Sequence, residues 1–288
     1  MPTIDVLDST IHYEDRGAGV PIVFLHGNPT SSHLWRNVLP GVGTPGRLLA
    51  PDLIGMGQSG KPEIDYTFAD HAHYLEAFLD ALSLGDLVLV GHDWGGALAF
   101  DWATRHPGRT RGIAFFETIV RPMSWEREYA GRARTRMEAL RAPGSGETKV
   151  LHENFFMTVA LEATVLSGLS ETDAAVYRDP YPTPESRRPL LAWPRSLPID
   201  GEPADVTARV VAYDRWLAAT PEVPKLLLTF DGPSQTLIVD EELTAWCREH
   251  IAGLEVEVCG LAAHLAPEDQ PDAIGAAIGR WFDRHALR

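Results

Sequence analysis

The chain has 288 residues, 44% of them hydrophobic and 23% charged. That composition excludes a disordered chain, a fibre and a disulfide-stapled miniprotein, and leaves room for one large domain or two modest ones. With 40 Asp and Glu against 25 Lys and Arg, the formal net charge is −15, a field that repels nucleic acid and anionic lipid and disfavours entry of an anionic substrate.

The chain opens Met-Pro-Thr-Ile-Asp-Val, without the basic-then-apolar pattern of an export signal. No apolar run approaches the roughly 18 residues of a spanning helix. Cys247 and Cys259 are the only cysteines, and two buried thiols are expected rather than a disulfide. The expectation is a cytoplasmic protein with neither a membrane nor a nucleic-acid partner.

Ile4–Leu7 and Thr10–Glu14 read as an opening hairpin, followed by strands at Pro21–Leu25 and Arg47–Ala50. Phe68–Leu82 has apolar residues at helical spacing, Leu87–Val90 is a buried strand, Ala97–Arg105 a helix stopped by His106-Pro107-Gly108, and Arg111–Phe116 a further strand. This alternation predicts an α/β fold, a mostly parallel sheet covered on both faces. From about Pro122 to Pro203 the pattern becomes helical and is punctuated by Pro180, Pro182, Pro184, Pro189, Pro194 and Pro198. That stretch reads as a helical cap, 122–204, inserted into a core of 1–121 and 205–288. Alternation resumes with strands Lys225–Phe230 and Leu254–Val258 and helices near Glu241–His250 and Asp272–His285.

The most informative segment is Leu87-Val-Leu-Val-Gly-His-Asp-Trp-Gly-Gly-Ala97. An apolar strand enters a Gly-X-Asp-X-Gly turn and a helix follows, the frame of the α/β-hydrolase nucleophile elbow, where Ser usually takes the central place. Here that residue is Asp93. A carboxylate needs no base to activate it, and the helix N-terminus favours its ionised form. It can therefore attack carbon and form an alkyl ester. The alternative for Asp93 is to cap the following helix, but the flanking glycines and the feeding strand favour the elbow.

Such an ester needs a water activated by a general base. In this fold the chain order is nucleophile, acid, His, with the His after the last strand. Among 11 histidines, His264 in the loop Gly260–Gln270 has that position. His71 and His73 are two apart on a helix and point different ways, so they read as a solvated face rather than metal ligands. No metal or cofactor is implied. Two acids could orient His264. Glu117 follows Ile-Ala-Phe-Phe at the end of a strand, where a buried acid demands a partner. Asp231 precedes Gly232-Pro233, where forming a turn is the commoner job. Glu117 is preferred and Asp231 stays open.

Together, His26-Gly-Asn-Pro-Thr-Ser-Ser32, Asp52-Leu-Ile-Gly-Met-Gly-Gln-Ser59, Gly91-His-Asp-Trp-Gly-Gly96, Ile113-Ala-Phe-Phe-Glu117 and the His264 loop resemble the haloalkane dehalogenases. The resemblance reaches through the insertion, at Trp193-Pro-Arg-Ser-Leu-Pro-Ile199 and Gly201-Glu-Pro-Ala-Asp-Val206, and covers nearly the whole chain. It implies that Asp93 displaces halide, that Asn28 and Trp94 donate side-chain N–H bonds to the departing halide, and that His264-activated water releases an alcohol and a proton. The donor types suit the task, because a soft monoanion is well held by neutral amide and indole N–H groups. The implied substrate is a small apolar halocarbon between cap and core, with Trp125, Phe155, Phe156, Val159 and Leu166 as candidates for the cap wall. The competing readings are an epoxide hydrolase, with ring-oxygen donors from Tyr177 and Tyr181, and a luciferase-like or ligand-receptor protein on the same scaffold. Asn28 argues against the first, and an intact Asp93 and His264 against a receptor.

Overall fold

Leu87–Val90 shows how the core is built. Leu87 and Leu89 enter one apolar cluster and Val88 and Val90 the other, because successive side chains on a strand point to opposite faces. A strand buried on both faces has no reason to alternate with polar residues, hence the continuous apolar run.

The computed structural model describes residues 2–43, 46–129 and 131–288. Its strands are β1 (Thr3–Val6), β2 (Ser9–Ala18), β3 (Pro21–Leu25), β4 (Gly46–Pro51), β5 (Leu87–His92), β6 (Thr110–Phe116), β7 (Lys225–Thr229) and β8 (Leu254–Val258). They form one sheet in the order β1-β2-β4-β3-β5-β6-β7-β8. β1 and β2 pair antiparallel, as do β2 and β4, and every later pairing is parallel. The opening hairpin is longer than its apolar residues suggest, because the polar tail of β2 pairs with β4 from Tyr13↔Pro51 to Ala18↔Gly46. Helices Phe68–Ala81, Trp94–Arg105 and Ala204–Ala219 contribute to one apolar cluster, and Leu39–Val42 and Pro271–His285 to the other. No helix among the described residues is long and apolar enough to cross a membrane.

Between β6 and the helix Ala204–Ala219 the chain leaves the sheet. It runs through helices Trp125–Glu128, Gly131–Arg141, Glu171–Arg178 and Arg188–Ser196, with π-helical turns at Glu147–His152 and Phe156–Ala160. Its two ends are stitched by the bridge Met123↔Ile199, where Asp200 N donates to Met123 O at 3.0 Å. A charged cluster ties this excursion to the loops beside the sheet. Arg36 holds Glu268 with two bonds of 2.7 Å, Tyr177 donates its hydroxyl to Glu268, and Asp173 lies 2.8 Å from His33 Nε2. The bidentate arginine pair is the strongest geometry in the set.

The turn after β5 is packed main chain against main chain. A Cβ on Gly95 would run into the carbonyl oxygen of Leu25, and one on Gly91 into the backbone of Gly96. Strand, turn and helix thus touch through main chain, and no flexible side-chain end is there to give way. Gly95→Ala is expected to destabilise the protein by about 3 kcal/mol, the upper range for overpacking a closed core. Urea unfolding checks this as a lowered midpoint with an unchanged slope.

Candidate active site

Asp93 sits between β5 and the helix Trp94–Arg105, with φ 51° and ψ −128°. A non-glycine residue in that region stores about 1–3 kcal/mol of strain and persists only where its surroundings impose it. Thr118 Oγ1 donates to Asp93 O at 2.5 Å, and Gly96 N to the same oxygen at 3.0 Å. The helix begins at Trp94, three residues before the first helical residue expected from the sequence, because the sharp turn is complete at Asp93. The Asp93 side chain makes no capping hydrogen bond to that helix. Its Oδ2 instead accepts from Asn28 N at 2.8 Å, across 65 residues of sequence.

Asp93 is only 5% exposed. Burial pushes its carboxyl pKa up, opposed by the charge of His264 and the N–H groups of Asn28 and Trp94. The helix N-terminus therefore does not control the ionisation by itself, and desolvation is the larger effect.

His264 Nδ1 lies 3.0 Å from Glu117 Oε2. Burial works to lower the His264 pKa, but the bond to Glu117 and the charge of Asp93 outweigh it, and the net shift is upward. With Nδ1 held by a carboxylate, the proton belongs on Nδ1, and Nε2 is left as the free base. The main chain of His264 is fixed too, because its carbonyl accepts from His92 Nε2 at 2.7 Å. His92, from the elbow itself, has its pKa driven well down by burial and the neighbouring His264, so it is a neutral donor.

Glu117 ends β6 with φ 50° and is 1% exposed. Besides His264 it accepts from Ile238 N at 2.8 Å and Val239 N at 3.1 Å. Three donors compensate the buried charge, which answers the demand that its sequence context made. Asp231 is exposed and is not hydrogen-bonded to His264 among the described residues, while its own N–H donates to Gly260 O at 2.9 Å. The loop that carries Asp231 reaches the site through the backbone of Ile238 and Val239 and not through its acid. No local pattern signals that contribution.

A cavity of about 560 Å³ gathers Asn28, Asp93, Trp94 and His264. Asn28 lines the cavity, and its Oδ1 is buried without a hydrogen-bond partner among the described residues. Trp94 is stacked on Trp193 at 4.7 Å, and Trp193 on His71 at 4.1 Å. His71 is thus a packed core residue and not part of a solvated face. It looks inward beside Tyr66 and Trp193, its pKa is depressed to about 3 by burial and by His26, and His73 alone faces solvent.

Phe155, Phe156 and Val159 line the cavity as expected from the sequence, but Trp125 and Leu166 do not. Trp125 packs with Tyr129 and under Arg134, and Leu166 is 44% exposed with its N–H held by Asp269. Tyr177 and Tyr181 are buried away from the cavity, Tyr177 on Glu268 and Tyr181 beside Lys61. The tyrosine in the cavity wall is Tyr129, joined by Arg132, Arg136, Met137 and Leu140. The sequence reading did not single out these five. For the four on the helix, the signal is the one-sided spacing of 132, 136, 137 and 140, which also describes an ordinary surface helix.

An alpha/beta hydrolase fold family matches residues 20–137. A haloalkane dehalogenase of Mesorhizobium japonicum is 49% identical over 99% of this chain and 91% of its own, and one of Agrobacterium fabrum is 42% identical over 96% and 89%. Among solved structures, the haloalkane dehalogenase of Bradyrhizobium elkani superposes with a TM-score of 0.94 at 42% identity, covering 99% of this chain and 98% of that one. One from Agrobacterium tumefaciens gives 0.91 at 41%, covering 99% and 96%. The sheet, elbow and covering helices are those of an α/β hydrolase. Within that class the chain belongs to the haloalkane dehalogenase family.

The geometry carries a pH dependence. A protonated His264 cannot accept a proton from water, and its pKa lies above the usual 6.5. With His264 as the proposed base, ester hydrolysis is expected to slow as pH falls; the ester leaves Asp93 uncharged, so in that step Glu117 is what holds the midpoint up. Glu117→Gln removes the main upward influence, so the midpoint should move down and the rate fall by about 100-fold or more. Single-turnover halide and alcohol release across a pH series measures both.

Proposed function

We propose that Asp93, His264 and Glu117 form the catalytic triad of a hydrolytic haloalkane dehalogenase, with Asn28 and Trp94 as its halide donors. The single observation that carries the reading is a buried carboxylate on a strained elbow, facing a histidine whose other nitrogen is held by a second buried acid. Substrates are halogenated alkanes, with water as co-substrate.

With Oδ2 held by Asn28 N–H, Oδ1 is the attacking atom. It bonds to the halogen-bearing carbon from the side opposite the halogen, and the carbon–halogen pair of electrons leaves with the halide. The N–H groups of Asn28 and Trp94 meet charge that exists only as that bond breaks, so they stabilise the transition state more than the neutral substrate. Water then gives a proton to His264 Nε2 and adds to the ester carbonyl. The ester oxygen carrying the developing negative charge is held by the backbone N–H of Asn28 and Trp94. Glu117 stabilises the imidazolium and keeps the ring oriented. The acyl C–O bond breaks, and alcohol and a proton leave.

We also divide the chain into a core, 1–121 and 205–288, and a helical cap, 122–204. The bridge Met123↔Ile199 supports those limits, since it closes the excursion near its two ends. The cytoplasm is the compartment we assign, and the free buried thiols of Cys247 and Cys259 suit its reducing conditions.

Bromide release from 1-bromohexane, with styrene oxide run in parallel, tests the activity. Asp93→Ala is expected to abolish bromide release, and diol formation without bromide would overturn the assignment. His264→Phe should leave the first step intact and trap the alkyl ester, read as a mass increase on the peptide containing Asp93. If bromide is released in a burst and no adduct accumulates, the two-step mechanism is wrong.

A further inference from the structure

The helix Gly131–Arg141 lines the cavity through Arg132, Ala133, Arg136, Met137 and Leu140. Polarity is graded along that face. Leu140 at its C-terminal end is buried and Met137 half-buried, while Arg132 and Arg136, nearer its start, are exposed. The four arginines of this helix are not equivalent. Arg134 pairs with Glu138 at 2.8 Å and Arg141 donates to the carbonyls of Pro194 and Leu197, whereas Arg132 and Arg136 have no ion pair or hydrogen bond among the described residues.

The other ionisable groups lining the cavity are Tyr129, Asp93 and His264. Among the described lining residues Asp93 is the one carboxylate, and the lining also includes the neutral Gln235 and Thr236. Charges more than a Debye length apart, about 10 Å at moderate salt, are largely screened. The nearby charges, Arg132 and Arg136 among them, therefore count for more at the mouth than the net −15 of the chain. Against the general charge of the protein, the cavity that holds Asp93 is lined by Met137 and Leu140 and carries two arginines on its exposed side.

We propose that this mouth recognises a carboxylate at the far end of the substrate, making ω-haloalkanoates a favoured substrate class. The carboxylate lies at Arg132 and Arg136, and the methylene chain runs past Met137 and Leu140 toward Asp93. The proposal rests on the dehalogenase reading above. The chemistry is unchanged. Asp93 bonds to the ω-carbon as bromide leaves with the bonding pair, and water then releases an ω-hydroxyalkanoate and one proton from the ester.

A cationic rim would also hold a departing halide. Comparing ω-bromohexanoate with ω-bromohexanol separates the two sources, since both release bromide and only one carries the anionic end. The readout is the ratio of kcat/KM for acid over alcohol, with ionic strength varied by sodium sulfate so that no halide is added. In the unmodified protein the ratio is expected to fall as ionic strength rises. At low ionic strength the Arg132→Gln/Arg136→Gln variant should lower it about tenfold, mainly through KM, which is the scale of two solvent-exposed ion pairs. Arg132→Lys/Arg136→Lys should keep most of it. A ratio insensitive to both salt and the Gln substitutions would overturn the proposal. So would an unchanged kcat/KM ratio with an equal change in kcat for both compounds, which would give the arginines to halide release, a step after carbon–bromine cleavage. No bromide from either compound would overturn the dehalogenase reading itself.

Discussion

Burial strips water from the Asp93 carboxylate, the nucleophile we propose, and the same burial works to neutralise it. At 5% exposure the carboxylate is desolvated, and that desolvation raises its pKa. The site is arranged around this conflict. Asn28 N–H fixes one oxygen, His264 supplies opposing charge, and Thr118 pins the main chain of the strained turn. His264 holds its charge-bearing capacity because Glu117 faces it. Glu117 is in turn compensated by the N–H groups of Ile238 and Val239. The chain of compensation ends on backbone, which cannot move away or lose its dipole. Both acids sit at positive φ, at the ends of the neighbouring parallel strands β5 and β6. The sheet thus holds two carboxylates at strained backbone positions, Glu117 bonded to His264 and Asp93 sharing its cavity, and packing that a Cβ on Gly95 would disrupt fixes the turn that carries Asp93.

The rest of the cavity divides its work by polarity. The Asn28 amide and the Trp94 indole, the halide donors we propose, are neutral and line the cavity beside Asp93. A fixed positive charge there would bind the product as strongly as the transition state and slow its release. Trp94 is braced from behind by Trp193 and His71, whose depressed pKa keeps the stack uncharged. Cationic charge is kept to the rim, on the exposed side of the helix Gly131–Arg141. The charged cluster of Arg36, Glu268, Tyr177, Asp173 and His33 holds the helical excursion over the loop that carries His264.

The sequence alone determined the features that depend on contiguous residues. A strand buried on both faces must be apolar throughout, a tight strand–turn–helix must have glycine where backbones touch, and an acid after Ile-Ala-Phe-Phe must find donors. Those constraints made β5, the elbow, Asp93 and Glu117 legible, and the chain order of the fold then singled out His264. Only the tertiary structure decided which acid meets His264, because Glu117 and Asp231 each follow a strand end and differ only in where their loops turn. It decided that His71 faces the core, since a histidine at helical spacing carries no mark of which side will be covered. It also decided that Arg132 and Arg136 edge a cavity, since an arginine at the surface looks the same in sequence whether it faces open water or the mouth of an active site. The local pattern records what a residue requires, and the long-range packing determines which distant residue supplies it.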